Sequence, residues 1–187
     1  MQLPERVTLA SGLTVDLNEM CECERDSVRS LFNQVVLEGD SYPQLHPLTE
    51  RDFAAYWLVG KAYVVRGQGD EPPDDIGAPG SILGAFYIKP NFSGRASHIC
   101  NAGFIVEPRY RGQGIGRFMG TSVLPLAKAL GYRAIMFNLV FASNTASIAL
   151  WKSLGFDTIG RIPNAVRLAG DRYVDALMFY RNLEDIS

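Results

Sequence analysis

Three glycines at alternate positions, Gly112, Gly114 and Gly116, lie between Arg111 and Arg117, just after an apolar run that ends Val106-Glu107-Pro108. Positions without side chains let backbone N–H groups converge on an anion, and a helix opening behind them adds the positive end of its dipole. Two better-known phosphate loops fit less well. A P-loop closes on Gly-Lys-Ser/Thr, and no Lys-Ser or Lys-Thr follows this turn. A dinucleotide fingerprint needs Gly-x-Gly-x-x-Gly, and Arg117 stands where the third glycine belongs. The next strand, AIMFNL, also ends without an acidic residue to take a ribose hydroxyl. A plain strand–turn–helix corner is the remaining reading of the glycines alone.

Two asparagines form a second group. Asn101 and Asn138 interrupt the apolar runs CNAGFIV and AIMFNLVF. An unpaired buried amide costs about 1–3 kcal/mol, so each needs a partner. A polar ligand between the two strands is one answer, and mutual hydrogen bonding is the other. His98 precedes Asn101 by three residues and could take a proton from an attacking nucleophile. A structural His98 facing the core is its alternative. His46 is a second, more remote candidate.

Positioning these groups needs an ordered set of elements. Residues 7–17 alternate apolar and polar around Ser11-Gly12, as a first strand or a short hairpin. Residues 24–38 read as a helix, with Val28, Leu31, Phe32, Val35 and Val36 on one face and Gly39 at its end. A loop through His46-Pro47 could close over a pocket or simply connect, and Thr49 opens a second helix. Strands are expected at 61–66, 82–89, 98–106 and 134–141, the last fully apolar except for Asn138 and so buried on both faces. A helix over 115–130 should show a kink or an irregular turn at Pro125 and stop at Gly131. Ser143 or Asn144 caps a helix over 145–154. Segments 156–161 and 174–181 pair around a connection at 163–172. Between the strands, 67–80 carries Asp70, Glu71, Asp74 and Asp75 and reads as an exposed loop. The whole is an α/β (α+β) arrangement: a mixed sheet with helices on both faces.

Bulk properties narrow the function. The 187 residues suffice for one domain with a substantial core. A net charge of −2 argues against nucleic acid as a partner. No apolar run reaches the length of about 18 residues that a membrane span needs. Cys21, Cys23 and Cys100 make no metal-ligand pattern. Their odd number, without a signal peptide, leads us to expect reduced thiols and a cytoplasmic location.

Arg111-x-x-Gly114-x-Gly116 after a strand ending Val106-x-Pro108 resembles the acetyl-CoA motif of the GCN5-related N-acetyltransferases (GNAT). The resemblance covers most of the chain and is sharpest over 97–156. It implies a single N-acetyltransferase domain over 1–187, a mixed central sheet of about seven strands, and acetyl-CoA as cosubstrate without a metal. Phe104, Ile105 and Val106 would run beside pantetheine, and Arg111, Gly112, Gln113, Gly114, Ile115, Gly116 and Arg117 would hold the pyrophosphate. Asn144 would sit beside pantetheine, with helix capping as a compatible role. Where many relatives place a tyrosine acid, this chain has Trp151, whose indole donates a hydrogen bond but is no acid at neutral pH. Trp151 would line the cofactor tunnel or simply pack. Homodimers are common in the family, and the resemblance implies one as an option.

Within the family, CNAGF, FNLVF-x-x-N and FYIKPN-x-x-GR are similar to fungal N-acetyltransferases that detoxify the proline analogue azetidine-2-carboxylate. That likeness implies that Asn101 and the backbone of Asn138 and Leu139 grip a substrate carboxylate; Asn101 and His98, the latter roughly where histone-type relatives keep a glutamate, are the candidate catalytic residues. Two alternatives stay open. One is the same reaction on a polyamine, an aminoglycoside or a protein N-terminus, with the acidic stretch 70–75 attracting the cation. The other is a CoA-binding module without turnover.

Overall fold

The structure is a computed structural model, and it describes residues 3–67 and 80–186. The acidic stretch Asp70, Glu71, Asp74 and Asp75 lies outside the described residues.

Strands β1 (Glu5–Thr8) and β2 (Thr14–Glu19) form an antiparallel hairpin. Gly12, at φ +88°, turns the chain between them, a left-handed backbone that glycine adopts without a Cβ clash. Helix α1 (Arg25–Glu38) ends at Gly39, and α2 (Glu50–Trp57) begins where the Thr49 hydroxyl accepts the Asp52 N–H at 3.2 Å. Then come β3 (Lys61–Gly67), β4 (Ile82–Pro90), β5 (Ile99–Val106), α3 (Ile115–Ala129), β6 (Ala134–Phe141), α4 (Thr145–Ser153), β7 (Asp157–Leu168) and β8 (Arg172–Asn182). The strand order is β1-β2-β3-β4-β5-β6-β8-β7, with β5 and β6 parallel. Eight strands stand where about seven were expected, because residues 7–17 and their flanks fold as two strands. Pro125 lies inside α3, which continues to Ala129. The helix closes with the Gly131 N–H on Lys128 O and the Tyr132 N–H on Ala127 O.

Other expectations need correction. The last hairpin is longer than its apolar segments suggest, since β7 runs through Pro163 and only Ala169–Asp171 connects it to β8. Residues 163–165 bulge from the ladder between the pairs Ile162↔Ala176 and Val166↔Val174. There the Asp175 carboxylate accepts the Asn164 N–H at 2.8 Å and pairs with Arg161. These two contacts hold its pKa below the ordinary carboxylate value. Strand β5 starts at Ile99, so His98 belongs to the turn before it. Asn138 is exposed, so β6 is not buried on both faces throughout. Cys21 and Cys23 form a disulfide, because a short turn brings their Cα atoms to 5.4 Å, within bridging range. Only Cys100 is a free thiol among the described residues.

The chain divides into two compact units. The first comprises Met1–Phe32, Leu48–Ile88 and Gly103–Ser122. Its core holds Phe32 against Phe53, Tyr56 and Trp57, with ring centroids 5.4–6.0 Å apart, and a stack of Tyr63, Phe86 and Phe104 at 4.9 and 5.4 Å. Burying each such side chain stabilises by about 1.5–3 kcal/mol. Tyr87 also lies in this core, and burial raises its pKa, so its hydroxyl stays protonated through the neutral range. Gly103 on β5 makes room for that ring, because a Cβ there would lie 2.6 Å from Tyr87 Cε1.

The second unit comprises Asn33–Pro47, Lys89–Ala102 and Val123–Ser187. One core cluster is Phe137, Trp151 and Phe156, and another is Phe141, Val166, Leu168 and Ala176 with Leu139 packed against it. Cys100 is fully buried, and burial pushes its thiol pKa up to about 12.

Two outcomes follow. Gly103→Ala is expected to destabilise the fold by about 1–3 kcal/mol through overpacking against a rigid ring, measured by denaturant unfolding. Cys100 holds almost no thiolate at pH 8, so iodoacetamide is expected to leave it unmodified in the folded protein and to modify it after unfolding, as read by mass spectrometry.

Candidate active site

In the first unit, the glycine turn is built from the end of β5. The Glu107 N–H still bonds Leu83 O of β4 at 2.9 Å, and then Pro108–Tyr110 form a single 3-10 turn. Glu107 is buried and its carboxylate pairs with Arg109 at 3.3 Å. Arg111 is extended, with its Nε directed to Val106 O at 3.4 Å. Gly112 and Gly114 have φ of +77° and +96°, a region that costs any L residue about 1–2 kcal/mol. The first bond of α3 runs from the Phe118 N–H to Gly114 O at 2.9 Å, so the N–H groups of Ile115 and Gly116 come before any intrahelical acceptor. Ile105 and Ile115 are buried, and their side chains serve the core while their backbone borders the turn. The guanidinium groups of Arg111 and Arg117 belong to exposed residues. The donor set and the charge fit a diphosphate.

Gln113 braces the turn from two sides. Its Nε2 donates to Arg109 O at 3.3 Å, and its own carbonyl accepts the Ser11 hydroxyl at 2.9 Å. Ser11 belongs to the β1–β2 turn, 102 residues earlier in the chain. Nothing in the local sequence around Ser11 signals that contact.

The polar groups of the second unit are arranged around β5 and β6. Their parallel ladder pairs Ile99 with Ala134 and Cys100 with Ile135. Asn101 is therefore the next β5 residue after the last pair. It is half-buried, and its carboxamide has no hydrogen-bond partner among the described residues. On β6 the register with β8 slips between Phe137↔Phe179 and Val140↔Leu177. Asn138 and Leu139 thus face Met178 alone, which makes a β-bulge and disrupts the ladder there. From the strand rise, Asn138 lies on the order of 7 Å further along the sheet than the level of Asn101.

Asn101 and Asn138 do not bond each other. Asn138 pairs instead with Asn91, through Asn91 Nδ2 to Asn138 Oδ1 at 2.9 Å and Asn138 Nδ2 to Asn91 Oδ1 at 2.6 Å. Asn91 is the functional candidate that spacing alone missed, although it stands within the FYIKPN motif. Asn144 caps α4, its Oδ1 accepting the Ser147 N–H at 3.0 Å. Its Nδ2 meets no acceptor among the described residues and can still donate. Trp151 is 5% exposed and packs on Phe137 and Phe156 at centroid distances of 4.5 and 5.4 Å. His98 is exposed, and its carbonyl accepts the Arg133 N–H. His46 is exposed in the loop before α2.

Residues 39–156 match the family model described as the acetyltransferase (GNAT) family. The chain belongs to that family. The N-acetyltransferase aca1 of Schizosaccharomyces pombe is 50% identical over 82% of this chain and 79% of its own length. A GCN5-related N-acetyltransferase from Kribbella flavida superposes with a TM-score of 0.79 at 27% identity, covering 90% of this chain and 97% of that one. The GNAT-superfamily phosphinothricin acetyltransferase of Sinorhizobium meliloti, solved with acetyl-CoA, has the same fold, with a TM-score of 0.76 at 21% identity over 90% of this chain and 88% of that one. The GNAT chain described here is thus an acetyl-CoA-dependent N-acetyltransferase, and the reading of a binding module without turnover is set aside.

A methyl group at Gly114 meets only Leu9, at 3.9 Å, so strain at φ +96° is the main effect of adding one. Gly114→Ala is expected to raise the Kd for CoA about tenfold with an unchanged circular dichroism spectrum, as checked by titration calorimetry.

Proposed function

We propose that the chain moves the acetyl group of acetyl-CoA to the amine of a small, proline-like amino acid such as azetidine-2-carboxylate, a detoxifying acetylation. The observation that carries this reading is the half-buried carboxamide of Asn101, which has no partner among the described residues and stands one residue past the last β5–β6 pair. The bulged backbone of Asn138 and Leu139 on the neighbouring strand adds main-chain donors. Together they offer N–H groups to a carboxylate without an arginine.

On the cofactor side, the backbone of Phe104, Ile105 and Val106 borders pantetheine, and Arg111 to Arg117 take the diphosphate. Asn144 and Trp151, at the start and in the last turn of α4, are the further cofactor contacts. The neutral amine nitrogen attacks the thioester carbonyl carbon. Backbone N–H groups near Val106 stabilise the oxyanion as it forms. The C–S bond then breaks and CoA leaves as a thiolate. A thiol pKa of about 8.5 makes that departure possible without a tyrosine acid, consistent with Trp151 at that position. The amine proton passes to water.

Thiol release is expected when azetidine-2-carboxylate and acetyl-CoA are supplied together, measured with a chromogenic disulfide. Release only with other amines would overturn the substrate and leave the reaction class standing. Asn101→Ala is expected to lower kcat/KM for the amino acid by about 10–100-fold, the value of a hydrogen bond to a charged group, with the KM for acetyl-CoA within about twofold of the wild type.

A further inference from the structure

We propose that Asn91 is a positioning residue for the acceptor. It holds the carboxamide of Asn138 so that the bulged backbone of Asn138 and Leu139 presents its N–H groups to a carboxylate. This rests on the reading above, that the bulge receives the acceptor's carboxylate.

The bulge is fixed at two side chains. Leu139 packs against the buried cluster of Phe141, Val166, Leu168 and Ala176. Asn138, the residue before it, is exposed and has no core contact of that kind. A bulge leaves its extra residue unpaired and disrupts the ladder locally, so its backbone depends on side chains for a defined direction. Asn91 supplies the missing anchor. It follows the end of β4, and its own N–H bonds Ile99 O at 2.9 Å, so it is tied to the start of β5. From there its side chain closes a two-bond ring with Asn138, using one donor and one acceptor from each amide.

This ring also decides what Asn138 can offer. With Oδ1 and one Nδ2 hydrogen engaged by Asn91, its side chain is a poor ligand, and the main chain becomes the donor. Backbone N–H groups cannot accept a hydrogen bond and cannot ionise, so they favour an anionic oxygen over a neutral one. The structure therefore assigns the Asn91–Asn138 ring to selection for a carboxylate on the acceptor. An acceptor amine without that group would gain nothing from it.

The test compares azetidine-2-carboxylate with azetidine, the same ring amine without the carboxylate, in the full chain. The measured quantity is the ratio of kcat/KM for the acid to that for the plain amine. Asn91→Ala is expected to lower this ratio about tenfold, chiefly through the KM of the acid, with the KM for acetyl-CoA within about twofold. Asn138→Ala should do the same, and the double variant should be no worse than either single one, because each removes the same ring. Asn91→Asp keeps an acceptor for Asn138 Nδ2 and should recover part of the ratio. Equal losses on both amines, or additive losses in the double variant, overturn the proposal. If the wild type does not acetylate azetidine-2-carboxylate, the substrate reading has failed, and the positioning role is judged without substrate. Backbone 15N order parameters over residues 137–140 should then fall in Asn91→Ala at an unchanged Tm, and unaltered values reject the role of Asn91.

Discussion

A backbone N–H that leaves regular pairing must find another acceptor, and this chain lets that happen at two chosen places. At the start of α3, the N–H groups of Ile115 and Gly116 precede the first helical bond, behind two glycines in the left-handed region. On β6, a register slip sets Asn138 and Leu139 opposite the single residue Met178. In the function proposed above, the first would take a diphosphate and the second a carboxylate.

Each stretch is braced by a residue distant in sequence. Ser11 donates to the carbonyl of Gln113, and Asn91 closes its ring on Asn138. A binding group that is only backbone has no rotamer of its own to lock, so its precision comes from such supports. The side chains next to each stretch serve the core: Ile105 and Ile115 are buried, and Leu139 packs on the Phe141 cluster. On the proposed reading, residues that look apolar and structural would carry the recognition elements on their main chain.

This division explains what could be read from the sequence. The glycine turn was legible because left-handed backbone at Gly112 and Gly114 demands a residue type that is visible in the letters. The caps Thr49 and Asn144 were legible for the same local reason. A bulge is different, since it is a relation between two strands, and AIMFNLVF alone cannot show that Met178 faces two of its residues. The Asn91–Asn138 ring spans 47 positions and the Ser11–Gln113 contact 102, beyond any local pattern. An amide in an apolar run implied a buried strand, yet Asn138 is exposed. The continuation of β7 through Pro163 was hidden because a side chain, Asp175, takes over from the ladder there.

Tyr87 and Gly103 have a different bearing on the molecule. The aromatic ring occupies the volume that a methyl group at position 103 would need. The two positions therefore cannot drift independently. Enlarging 103 alone overpacks the site and shrinking 87 alone leaves a cavity, so a lineage passes through a less stable intermediate in either order. History at this pair is coupled, imposed by a few ångströms of shared volume.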